Sequence, residues 1–132
     1  MNLFFAFLSA AYIFAIFFLA DSGAISQIGE FNPYSLLHVP LYGILTLLIL
    51  LSLGTGKGKF TRQRLIIGGF IAGIAGALDE FHQTFIPTRD GSLGDVLLDV
   101  LGIVLAILLF RLVSPFLKSK CLSTRKNAKR QA

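Results

Sequence analysis

Apolar residues gather into four long stretches, about Leu3 to Ala20, Tyr34 to Leu53, Leu65 to Phe85 and Leu93 to Phe116. A helix needs about 20 residues to cross about 30 Å of hydrocarbon. The first two stretches are short but sufficient. The third and fourth are longer and carry charge near one end. The pattern predicts an all-α membrane protein with four transmembrane helices in a compact bundle over residues 1–117. A basic tail, 118–132, follows and is expected to be disordered and to lie along anionic headgroups. The first stretch could be read as a signal peptide. Its start lacks Lys or Arg, its apolar run is long, and Phe18 stands where cleavage needs a small residue, so a retained helix is favoured.

Composition sharpens this picture. The 132 residues have room for one domain, and 55% are apolar against 14% charged. Their mean hydropathy is +0.76. A soluble domain of this size needs more charge to cover its surface. Thirteen Phe, three Tyr and no Trp leave tyrosine to serve at the membrane interface. The lone Cys121 excludes a disulfide within one chain; it is read as a plain thiol rather than a palmitoylation site.

The net charge of +5 does not point to nucleic acid, because the basic residues sit in two short blocks beside apolar spans. Lys57, Lys59, Arg62 and Arg64 lie between the second and third stretches. Lys118, Lys120, Arg125, Lys126, Lys129 and Arg130 follow the fourth. Four crossings put both blocks and both termini on one side, and positive-inside asymmetry makes that side cytoplasmic. Of the twelve basic residues only Arg89 falls opposite, where Asp21, Glu30, Asp79, Glu80, Asp90, Asp95 and Asp99 also gather. The expected location is the cytoplasmic membrane, crossed several times.

Charge at a membrane helix costs at least about 2.5–3.5 kcal/mol per residue at the bilayer centre, so the segment Leu78 to Gly102 needs a physical account. Asp79, His82 and Gln83 share one face near the outer end of the third span, and Glu80 points about 100° from Asp79. Pro87 ends that helix, and Arg89-Asp90-Gly91-Ser92 reads as a turn. Ser92 reads as the N-cap of the fourth helix, with Asp95 as its capping-box acid. Asp95, Asp99, Gly102 and Ala106 form a stripe that is acidic near water and small deeper down, as expected of close packing. In the third span Gly69 and Gly73 have GxxxG spacing, with Ala72 and Gly76 following, and read as a generic packing motif. His38 and Tyr42, four apart in the second span, lie at the same depth as the acids.

Local structure accounts for some of these residues. Asp90 suits the turn, Asp95 the cap, His38 an interface, and Asp79 with Arg89 a hairpin-closing ion pair. The adjacent Asp79-Glu80 pair is harder to explain locally, because like charges in a low-dielectric rim repel unless a cation joins them. Arg89, a divalent metal or a cationic ligand would serve. His and carboxylates suit a divalent ion, but no dedicated ligand spacing is present, so the metal stays unassigned. Asp79, Glu80 and His82 are also the candidate acid–base catalytic residues. His38, Tyr42, Gln83, Arg89, Asp95 and Asp99 are the candidate ligand-binding residues.

The run DEFHQTFIPTRDGSLGDVLLDVLG, Asp79 to Gly102, resembles the signature of the VanZ-like family, small membrane proteins named from a glycopeptide-resistance cluster. The matching positions are Asp79, Glu80, His82, Gln83, Pro87, Arg89, Asp95 and Gly102, joined by His38 and Tyr42 in the second helix. Thr88 stands where many members have Gly, and Asp99 where Asn is expected. The resemblance implies an envelope-associated membrane protein linked with resistance to teicoplanin-type lipoglycopeptides.

Three functions are compatible with these residues. One is binding or modifying a cell-envelope lipid or lipid-linked precursor at the outer leaflet. Here Arg89 pairs with phosphate, Asp79, Glu80 and His82 hold an amine, metal or proton, and His38, Tyr42 and Gln83 orient the headgroup. The second is a membrane enzyme using acid–base or metal-assisted chemistry on a headgroup. The third is an accessory subunit docking a partner membrane protein. A transporter is weaker, since four helices make a thin pathway without homo-oligomerisation.

Overall fold

The structure, a computed structural model, describes residues 1–21, 35–54, 61–86 and 91–130. It is all-helical in those residues: α1 (Leu3–Asp21), a 3-10 turn (Ser35–Leu37), α2 (His38–Leu53), α3 (Arg62–Gln83) and α4 (Leu93–Arg130). Two helical segments, Arg62–Gln83 and Leu93–Ser114, are long and apolar enough to cross a membrane. Leu3–Phe18 and His38–Leu53 are apolar but shorter.

Local chemistry sets the helix ends. α3 begins before the apolar run because the Thr61 hydroxyl accepts from the Arg64 N–H at 3.4 Å, capping a first turn of polar residues. α2 tolerates Pro40 because its missing N–H falls in the first turn. α4 differs from the sequence expectation. The tail 118–132, expected to be disordered, has helical backbone as far as Arg130. Residues 116–130 contain neither Gly nor Pro to stop a helix. Pro115 has no N–H to offer the Arg111 carbonyl, and the Ser114 hydroxyl donates to that carbonyl instead, at 3.4 Å.

α2 is the central element and touches α1, α3 and α4. The Asn2 N–H donates to the Ser52 carbonyl at 2.7 Å, so the start of α1 meets the end of α2. The Phe17 ring lies 5.6 Å from the His82 ring, so the end of α1 meets the end of α3. The core joins Ile16, Tyr42, Leu45, Ile49, Ala72, Ala75 and Ile103.

The outside of this assembly is apolar, and polar side chains are buried beside the apolar core. Phe4, Phe7 and Phe14 of α1, Phe70 and Phe81 of α3, and Leu97 and Leu112 of α4 are exposed. Ser9, Thr46, Ser52, Asp79, Glu80, Gln83 and Asp99 are buried. The buried hydroxyls need no cross-helix partner. Ser9 donates to the Phe5 carbonyl at 2.8 Å, Thr46 to that of Tyr42 at 2.7 Å and Ser52 to that of Ile49 at 2.7 Å.

Backbones of α2 and α4 approach each other closely. A Cβ placed on Gly102 would overlap the Val39 carbonyl oxygen, with the Val39 carbonyl carbon at 3.0 Å and its Cα at 3.1 Å. A Cβ on Gly43 would sit 3.5 Å from the Gly102 oxygen. The small stripe of α4 is therefore a packing seam. The GxxxG pair of α3 is not: a Cβ on Gly69 would meet Ile107 at 3.0 Å, but one on Gly73 would meet nothing within 4 Å.

Candidate functional site

Three helix ends bring polar side chains together. His38 is the first residue of α2 and Tyr42 follows one turn later. Asp79, Glu80 and Gln83 occupy the last turn of α3. Asp95 and Asp99 lie in the first two turns of α4.

The His38 Nδ1 lies 2.8 Å from the Asp99 Oδ1, where an Nδ1–H donates to the carboxylate, and 3.8 Å from the Glu80 Oε1. Beneath this pair, the Tyr42 hydroxyl donates to the Asp79 Oδ2 at 3.2 Å, and the Gln83 amide donates to the same oxygen at 3.1 Å. The Tyr42 and His38 rings stack with centroids 6.1 Å apart. Asp79, Glu80 and Asp99 are each at most 5% exposed. Asp95 and His38 are partly exposed, so the cluster opens towards the end of the helices. Among the described residues, the Glu80 Oε1 and the Asp99 Oδ2 are buried and accept no hydrogen bond.

The start of α4 corrects the capping expectation. Ser92 is its N-cap, with its hydroxyl accepting from the Gly94 N–H at 3.1 Å. The Ser92 N–H, which a capping-box acid at position 95 would engage, donates instead to the Glu80 Oε2 of α3 at 2.8 Å. Gly91 makes this crossing possible, because a Cβ there would press on the Glu80 carbonyl oxygen at 2.6 Å. Glu80 thus takes the capping role from another helix. The Asp95 side chain makes no hydrogen bond among the described residues, and it falls with His38 and Glu80 in a group whose ligand atoms all lie within 4.8 Å of one another.

Of the acid–base trio expected from sequence, Asp79 and Glu80 join the cluster, where Glu80 faces the His38 imidazole, and the His82 ring packs against Phe17 of α1. Asp79 and Gln83 do share a face and are bonded to each other. Arg89, together with Pro87, Thr88 and Asp90, lies outside the described residues.

The spacing of Ala72 and Gly76 marks a packing position, but not its part in the site. Gly76 makes room for the site, since a Cβ there would lie 2.6 Å from the Asp99 Oδ2 and 3.3 Å from the Tyr42 Cε1. We expect Gly76→Ala to lower unfolding stability by about 1–3 kcal/mol, measured by denaturation in detergent; a variant as stable as wild type would contradict this packing. At the other end, Arg62, Leu65, Phe110, Arg111 and Ser114 line a cavity of about 460 Å³. At 1.5 Å per helical residue, Arg62 is about 25 Å along α3 from Asp79. One end of the assembly is acidic and the other basic. Compared with family models, curated proteins and solved structures, the chain finds no match in any of the three.

Proposed function

We propose that the chain is a multi-pass protein of the cytoplasmic membrane, with α1 to α4 all crossing and both termini cytoplasmic. The apolar exterior supports this reading: phenylalanines and leucines face outward while carboxylates and hydroxyls are buried beside the apolar core. Arg62, Arg64 and Arg111 stand towards the end away from the acids, matching positive-inside asymmetry.

On that reading the acidic end faces outward and binds, or chemically modifies, the headgroup of an envelope lipid or lipid-linked precursor. The VanZ-like resemblance points the same way and links the role to teicoplanin-type resistance. The observation that carries it is the meeting of His38, Glu80, Asp95 and Asp99 from three helices at one depth, buried on the inner side and open at the helix ends. Such burial of charge at a membrane helix end is costly and marks a working site. The acidic balance selects a headgroup bearing an amine, or a phosphate reached through a metal ion. Arg89 is the residue we assign to such a phosphate.

Native mass spectrometry tests this. Purified wild-type protein is incubated with envelope lipids and lipid-linked precursors beside Asp95→Asn. Asp95 is the better position to change, because Glu80 also caps α4. An adduct in wild type that is lost in Asp95→Asn is the expected result. A change in the lipid's own mass would make the protein an enzyme acting through Asp79 and Glu80. No adduct in either sample would reject lipid binding in favour of a docking role with a partner membrane protein.

A further inference from the structure

We propose that His38, Glu80, Asp95 and Asp99 form a binding site for one divalent metal ion. The donors come from α2, α3 and α4, so the ion would tie three helix ends together.

The donors lie close enough together to converge on one metal ion. Two ligands bonded at 2.0–2.1 Å to one ion lie about 3.0–3.4 Å apart. The His38 Nδ1 is 2.8 Å from the Asp99 Oδ1 and 3.8 Å from the Glu80 Oε1, values that bracket this separation. An ammonium group, with hydrogen bonds of about 2.8 Å, spreads its acceptors to about 4.6 Å. The His38, Glu80 and Asp95 donors lie within 4.8 Å of one another, so a metal draws them inward while an ammonium takes them as they stand, and titration with the metal alone separates the two. Asp95 is partly exposed.

A second observation points to a ligand. The Glu80 Oε1 belongs to a side chain 6% exposed, accepts no hydrogen bond among the described residues, and faces the His38 nitrogen. Its sister oxygen is committed to the Ser92 N–H, which holds the carboxylate in place. An orphaned, pre-aimed acceptor is expensive unless something cationic meets it. Among the described residues neither Lys nor Arg bonds to Glu80, Asp95 or Asp99. A 2+ ion supplies the missing charge at the point where the three helices converge.

One imidazole with carboxylates suits Zn²⁺ or Mn²⁺ better than a copper or iron–sulfur centre, which calls for more nitrogen or sulfur. His38 Nδ1 would be the nitrogen donor, its proton released to solvent or replaced by one on Nε2 as the ion binds. Asp99, now hydrogen-bonded to it, would supply the fourth ligand.

The site stands on donor geometry and not on the lipid reading, so the two are tested apart. Full-length protein in detergent, free of any polyhistidine tag, is stripped with EDTA and titrated with Zn²⁺ and with Mn²⁺ under native mass spectrometry, without added lipid. We expect one ion per chain in wild type and in His82→Gln, and affinity lowered by more than about 100-fold in His38→Gln and Asp95→Asn. X-ray absorption of the wild-type zinc form is expected to show one imidazole nitrogen among oxygens. That readout decides the matter even where a variant does not fold. An absence of bound ion, sulfur or no imidazole around the zinc, or undiminished affinity in both His38→Gln and Asp95→Asn would overturn the proposal.

Discussion

Replacement of Gly102 by valine is expected to destabilise the fold by about 3 kcal/mol or more and to draw His38 away from Asp99. The reason is the atom it meets. A Cβ at this position overlaps the carbonyl oxygen of Val39, and backbone in a helix cannot rotate aside as a side chain can. The only relief is separation of α2 from α4 by something on the order of 1 Å, since carbon and oxygen need roughly 3.4 Å between them. Even Gly102→Ala, which gains about 1 kcal/mol of helix propensity, should lose more to this overlap. Val39 is next to His38, and Gly102 is three residues from Asp99, so the displacement acts on the 2.8 Å contact of the site. The stability loss is read from SDS-induced unfolding followed by circular dichroism, and the contact from the ring nitrogen shifts of ¹⁵N-labelled histidine. Gly73→Ala, which adds its methyl to open space, is the control and should be at least as stable as wild type, by up to about 1 kcal/mol of helix propensity. Equal midpoints for Gly102→Val and Gly73→Ala would reject this seam.

Tyr42→Ala is expected to cost about 3–5 kcal/mol, while Tyr42→Phe costs about 1.5–3 kcal/mol. Tyr42 has no exposed surface, and its ring joins the core of Leu45, Ala72 and Ala75 while stacking on His38. Truncation to alanine leaves a cavity walled by three helices. The phenylalanine variant keeps the ring and removes only the hydroxyl that donates to Asp79 at 3.2 Å. A hydrogen bond to a carboxylate is stronger than one between neutral groups, and Gln83 still donates to the same oxygen. Unfolding of the pair in one detergent separates packing from hydrogen bonding. If Tyr42→Phe proved as damaging as Tyr42→Ala, the hydroxyl and not the ring would be the main support.

The helices were legible because long apolar runs leave little choice of secondary structure, but several ends moved: α2 begins at His38, α3 at Arg62, and α4 runs on to Arg130. Thr61 moved the start of α3 back to Arg62, a displacement that hydropathy alone does not register. The shared depth of His38, Glu80 and Asp99 could be counted from the chain. Which helix lies beside which could not, because neighbour order depends on packing across elements far apart in sequence. That gap explains the reading of Asp95. Its spacing from Ser92 matches a capping box, and only the folded hairpin reveals a competitor twelve residues earlier, in Glu80. It explains the glycines too. Gly69 and Gly73 have the spacing of a seam, yet Gly73 faces no neighbour, whereas Gly102, in the small stripe of α4, meets Gly43, a partner that no spacing announces. Gly76 is visible as a small residue but not as the hollow for the Asp99 carboxylate.

The bond from Glu80 to Ser92 changes how sequence drift in related chains should be read. A carboxylate at position 80 holds the first turn of α4 whether or not the cluster has a task, so lineages that had lost the activity would still be selected to keep it. Asp95 carries no such folding duty beyond a modest attraction to the helix dipole, worth about 0.3–1 kcal/mol. Position 95 is therefore the one that should erode first once selection on the chemistry is relaxed, and its persistence beside a freely varying surface would report a working site more faithfully than Glu80 can.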